Sequence, residues 1–180
     1  MTTTTIQTDL PAATWGLDQT HSTAGFSIKY MVSTFRAGFD KLDVTLDTTG
    51  AEPKLTGSVD PTSIAVKDEN FHAHLQSPDF FDSESHPAIA FESTGWRFDG
   101  DELVVDGNLT IKGDTRPVEA RGTFTPAHED PWGNTRVGIT LDASIDRSHF
   151  GINWNNPLPK GGLALANDVR LHVDLQLVKA

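Results

Sequence analysis

Gly107-Asn-Leu-Thr-Ile-Lys-Gly-Asp-Thr-Arg-Pro-Val118 carries a two-residue period that sets the fold class. Leu109 and Ile111 alternate with Thr110 and Lys112, Gly113-Asp114 reverses the chain, and Val118, Ala120, Gly122 and Phe124 resume the alternation. Successive side chains of a strand point to opposite faces, so this pattern predicts a hairpin with one dry and one wet face.

The same period extends to either side. Phe26, Ile28 and Tyr30 alternate with Ser27 and Lys29, and Leu42, Val44 and Leu46 with Asp43, Thr45 and Asp47. Leu55, Gly57 and Val59 lead into Pro61, with Ile64 and Val66 beyond. Ile89, Phe91 and Ser93 follow, then Leu103 and Val105, then the long run Val137, Ile139, Leu141, Ala143 and Ile145. Val169, Leu171, Val173, Leu175 and Leu177 close the chain. About eight strands separated by turn signals predict an all-β barrel or sandwich. Only Asp68 to Ser77 reads as helical, with Phe71 and Leu75 four residues apart on one face. No βαβ alternation occurs, which argues against a parallel sheet. A barrel of about eight strands is just wide enough to be filled by its own side chains or to hold one small ligand. Periodicity does not separate a hollow barrel from a solid one.

Residues 1–13 are Thr-rich and polar and are expected to form a flexible tail, with residues 14–180 as a single domain. The net charge of −11 argues against a nucleic-acid partner, because phosphate binding needs a basic face. Without cysteine there is neither a disulfide nor a thiolate metal site. The N-terminus lacks the basic and apolar regions of a secretory signal, and no window reaches the ~18 apolar residues of a spanning helix. A cytoplasmic protein without a membrane span is the resulting expectation.

Three groups of residues could carry chemistry. His72-Ala-His74 with Asp79, Asp82, Glu84 and His86 has metal-ligand residue types, but on a helical turn residues two apart do not face each other. His74 is expected to pack on the helix and His86 to sit in an extended turn before Pro87. His21-Ser22 beside Asp18 has the residue types of a nucleophile site, yet neighbours on a strand point apart and no G-x-S-x-G elbow occurs. Asp146-Arg147 is expected as an internal ion pair or rim contact. No catalytic residue, metal or cofactor is assigned, and the protein is expected to bind, not to catalyse. Gly50, Gly57, Gly95, Gly100, Gly113 and Gly133 are expected mostly at turns, and Pro157 to Gly162 as a mobile loop.

Several segments resemble the YceI family of lipocalin-like barrels, whose characterised members bind polyisoprenoids. Trp15-Gly-Leu-Asp-Gln-Thr-His-Ser22 and Phe26 resemble its opening W-x-x-D-x-x-H-S…F, and Arg36-Ala-Gly-Phe39 its Arg/Gly/Phe turn. His74-Leu75, Ser77-Pro-Asp-Phe-Phe-Asp82, His86-Pro87 and Phe91-Glu-Ser93 are similar to its central block. The 107–118 hairpin is close to its G-x-L-T-I-x-G-x-T-x-P-V element, and Arg147-Ser-His-Phe-Gly-Ile152 resembles its late R-x-x-F-G.

The resemblance implies an eight-stranded antiparallel lipocalin-like barrel, with a helical segment near residues 68–77, enclosing an apolar tunnel for a long-chain isoprenoid lipid. On that basis the ligand-binding candidates are Phe26, Ile28, Tyr30, Phe91, Val105, Leu109, Val137, Ile139, Leu141 and Phe150, with Arg36 and Arg147 meeting a polar head group. The negative field disfavours a diphosphate head and favours a polyprenol or a neutral quinone or amide. A homodimer is expected from the resemblance alone. Two alternatives stand beside this: a solid-core barrel acting as a stress-related or interaction module, and a metal-dependent hydrolase using His72, His74 and His86.

Overall fold

The computed structural model describes residues 10–180. Its strands are β1 (Thr14–Leu17), β2 (Thr23–Tyr30), β3 (Ser33–Gly38), β4 (Leu42–Asp47), β5 (Lys54–Val59), β6 (Ile89–Asp99), β7 (Glu102–Ile111), β8 (Asp114–Glu129), β9 (Thr135–Asp146) and β10 (Leu165–Lys179). They form one sheet that closes where Trp15 of β1 pairs with Lys179 of β10 on one side and Leu46 of β4 on the other. β1 and β2 follow one another along β10, and β4 and β3 pair with them in turn, so the segments fill eight positions of an antiparallel barrel. Closure leaves no unpaired edge running the length of the sheet.

The break between β1 and β2 is held by side chains. Ser22 Oγ accepts from the Gln176 amide at 2.9 Å, replacing a ladder bond, while Asp18 accepts from the amides of Thr20 and His21 at 3.0 and 3.3 Å.

One barrel end carries only short turns, and the other carries the helix and long loops together with the Met31-Val32 and Lys112-Gly113 hairpin tips. Helix α1 (Glu69–Gln76) is capped by Asp68, whose side chain accepts from the Phe71 amide at 2.9 Å, and ends at Ser77, matching the sequence expectation. A 3-10 turn, Pro61–Ser63, precedes it, and another, Arg147–Phe150, follows β9.

Some boundaries differ from the periodic pattern. The 107–118 reversal falls at Lys112-Gly113, both with positive φ, leaving Ile111 paired with Asp114. A register shift between Ser93 and Gly95 moves the inward positions of β6 from odd to even residues, which brings in Trp96 and Phe98. Gly57 and Gly95 lie within strands, not at turns. Of the segment expected as a flexible tail, residues 1–9 lie outside the described residues. Leu10 packs against the core cluster that includes Ala13, which is buried and whose amide donates to Thr48 Oγ1 at 2.9 Å.

The interior is divided by height. At the short-turn end Trp15, Leu46, Leu103, Val105, Val137, Ile139 and Leu177 are almost fully buried and pack into a solid core with Trp96. A second cluster gathers at the helix end around Phe39, Leu75, Phe80, Phe81, Ile111 and Phe150.

Candidate binding cavity

Between these clusters, opening toward the helix end, lies a cavity of about 290 Å³. That is near the lower bound of the ~300–1,000 Å³ typical of small-molecule pockets. Inward positions of β2 to β10 supply its wall, and α1, the loop after it and the β9–β10 connection supply its upper rim. A chain of aromatic rings runs round it. Phe26 meets Phe35 and Phe39 at centroid distances of 6.1 and 6.0 Å, Phe35 meets Phe71 at 5.3 Å, and Phe39 meets Phe81 at 6.0 Å. Such edge-on and tilted contacts favour a rigid apolar surface. Gly57 contributes no side chain to the wall, and a Cβ there would lie 3.2 Å from Val44.

Of the sequence candidates, Phe26, Ile28, Tyr30, Phe91, Leu109, Leu141, Arg147 and Phe150 line this cavity. Val105, Val137 and Ile139 do not: they point inward as expected, but at the level of the solid core, where they form the cavity floor. The interior is therefore filled at one end and hollow at the other, and the solid-core expectation fails in the helix half.

The two arginines assigned to a head group are placed differently. Arg36 pairs in register with Ser27 on the outer face of β3 and is exposed, away from the lumen. Arg147 reaches the cavity wall but is only 4% exposed. Its guanidinium donates to the carbonyls of Ala166, Ile152 and Trp154 at 2.8, 2.9 and 2.8 Å, clamping the loop before β10. Burial pulls the Arg147 guanidinium below its ordinary value, and the Asp146 charge partly offsets this. The side chain is a structural clamp, not a free cation, and the Asp146 carboxylate instead caps the 3-10 turn through Ser148 at 2.9 Å.

The histidines are dispersed. His72 Nε2 lies 2.9 Å from the Thr62 carbonyl, and His74 Nε2 lies 3.0 Å from Asp79 while its ring packs edge-on against Phe80 and Trp154. His86 lies over Gly113, where an added Cβ would approach its ring to 2.8 Å. Among the described residues no group of three or more His, Asp or Glu side chains converges to hold a metal ion. His21 Nδ1 is 2.9 Å from Asp18, whereas Ser22 turns inward to Gln176, so the two neighbours do point apart.

Asp18 belongs to a polar staple at the floor end of the barrel. Arg136 donates to Asp18 at 2.5 Å, to Asp130 at 2.7 Å and to Gln176 Oε1 at 2.9 Å, joining β9, β10, the end of β1 and the β8–β9 turn. Hydrogen bonds from His21 and then Arg136 hold the Asp18 carboxyl at about 2. Asp130 is likewise held at about 2, chiefly by Arg136.

Lining residues that periodicity missed come from outside regular strands or from short ones: Phe35, Phe39, Phe71, Phe80, Phe81 and Trp154. The aromatic density of the 71–81 stretch signals Phe71, Phe80 and Phe81 in sequence.

Comparison with known proteins places this geometry. The family model described as the YceI-like domain matches residues 15–177. A UPF0312 protein of Staphylococcus aureus is 33% identical over 164 residues, covering 88% of this chain and 94% of that protein. Among solved structures, BcnA of Burkholderia cenocepacia superposes with a TM-score of 0.75 at 21% identity, over 89% of this chain and 98% of the other. A YceI protein of Campylobacter jejuni gives 0.68 at 20% identity, over 83% and 88%. A polyisoprenoid-binding domain from Saccharophagus degradans gives 0.66 at 13% identity, over 92% and 98%.

Proposed function

Because the chain belongs to the YceI-like domain family, we propose that its cavity binds and carries one apolar isoprenoid-type lipid, a polyprenol or an isoprenoid quinone, tail inward. The observation that carries this reading is a lumen walled almost wholly by aromatic and aliphatic side chains in the half of the barrel nearest the loops. Each buried methylene contributes about 0.8 kcal/mol, so a single five-carbon unit supplies roughly 3–4 kcal/mol before ordering costs. The walls offer desolvation and shape, and His172 and Asp142, which border the lining, pair with each other at 2.7 Å through half-exposed side chains. Such a lumen supports a binding role for the cavity. The nearest guanidinium, Arg147, is already engaged by carbonyls, and Arg36 faces outward. A neutral head group at the mouth therefore suits the site better than a diphosphate.

Native mass spectrometry of the purified protein, followed by organic extraction, tests this. We expect a stoichiometric species released on denaturation, with masses spaced by isoprene units, or uptake of added polyprenol or menaquinone by protein purified empty. Neither bound lipid nor uptake of either probe would overturn the reading.

A further inference from the structure

The tip of the β2–β3 hairpin breaks a local rule. Its two central residues, Met31 and Val32, lie between the paired Tyr30 and Ser33. Met31 has a φ of 49°, at the position where such a tip prefers glycine because positive φ is costly for a residue with a Cβ. Both side chains are apolar, yet Met31 is 56% exposed and Val32 fully exposed, so neither gains burial within the chain. The Met31 amide donates to the Ala164 carbonyl at 2.8 Å, fastening the tip to the loop before β10. That loop is not an open coil: Pro157 bridges Leu163 across a tight turn that carries Lys160, and Leu163 is 62% exposed. Met31, Val32 and Leu163 thus stand together beside Tyr30, which is half-exposed and lines the cavity mouth.

The charge around this patch runs against the whole-chain balance of −11. Arg36 of β3 and Arg170 of β10 both stand opposite Ser27 of β2, and Lys29 follows on the same outer face one step nearer the tip. Among the described residues the Lys and Arg ion pairs are made by Lys54, Arg97, Arg121 and Arg136. Lys29, Arg36, Lys160 and Arg170 make none. Most acidic residues of this barrel end lie to either side, Asp68, Glu69, Asp79, Asp82 and Glu84 with the helix and Asp146 on β9, while Asp168 stands two residues from Arg170 on the outer face of β10.

We propose that the Met31-Val32 tip and Leu163 insert into the interface of an anionic lipid bilayer, with Lys29, Arg36, Lys160 and Arg170 facing its head groups. Exposed apolar side chains and a basic cluster are the two signals that together give reversible surface attachment. The cavity mouth then opens against the bilayer, and an apolar ligand passes between membrane and barrel without crossing water. This rests on the carrier reading above, and it adds where exchange takes place.

Co-sedimentation with vesicles of phosphatidylcholine plus phosphatidylglycerol, and of phosphatidylcholine alone, tests it with no ligand added. The protein should bind the anionic vesicles, and binding should fall with salt and on neutral vesicles. Lys29→Gln and Lys160→Gln should each lower the partition coefficient about fivefold. Met31→Gly with Val32→Ser places glycine at the positive-φ position, so it should keep or raise the thermal midpoint while lowering vesicle binding at least about tenfold. Uptake of polyprenol from dilute detergent should be the same in all of these proteins. No binding to anionic vesicles by a protein that takes up polyprenol, or undiminished binding by the tip and lysine variants, would overturn the docking surface alone. Failure of uptake from detergent would instead strike the carrier reading.

Discussion

At the residue scale, the buried cations and carboxylates of this barrel hold its shape. Arg147→Met would leave three carbonyls without the donor they now share, a change worth about 3–5 kcal/mol. Denaturant melts should show that loss, and Arg147→Lys should recover only part of it because an ammonium cannot reproduce the planar fork. Asp18 makes stability depend on acid. Its carboxyl titrates at about 2 when folded, against an ordinary 3.8. The staple therefore contributes fully above the ordinary value, and its contribution is lost as pH falls from near 4 through about 2. Thermal melts across that window should fall more steeply for the natural protein than for Asp18→Asn. The pattern of residues led to the expectation that His21 and Ser22 point apart, as they do. It did not show Arg136 as the partner of Asp18, because the two lie 118 positions apart and only barrel closure joins them.

At the scale of elements, α1 and the β2–β3 hairpin meet at the mouth. Phe71 of α1 touches Phe35 of β3, and Leu75 is buried over the cavity. Asp68→Ala should remove about 1 kcal/mol of helix stability by deleting the cap, with little effect on the strands. Hydrogen exchange should quicken in Glu69–Gln76 and not in β7 or β9, and release of a bound polyprenol should accelerate. The helix and most strands were legible because each has a local signature. The second half of β6 was not, since the shift at Ser93 to Gly95 reverses which parity faces inward. Phe80, Phe81 and Trp154 were hidden for a related reason: they reach the lumen from loops, where no period applies.

For the whole molecule, the two halves of the interior should respond differently to substitution. Val137→Ala, in the floor, should cost about 2–3 kcal/mol in stability and leave polyprenol uptake unchanged. Ala143→Trp, in the wall of the cavity, should abolish uptake while the far-ultraviolet spectrum stays that of the folded barrel. Parallel melts and loading assays separate the two outcomes. Alternation along a strand says which side of the sheet a residue faces, but not how far along the barrel axis it lies. For that reason Val105, Val137 and Ile139 read in sequence like Leu109 and Leu141 although they serve as floor. The floor has one further consequence. A tube stopped by Trp15, Leu46 and Leu177 measures what enters it. On the carrier reading, each isoprene unit added to a ligand should strengthen its hold until the tail touches bottom, after which extra length should stay outside. The barrel is thus a depth gauge, and its affinity should climb with chain length and then level off.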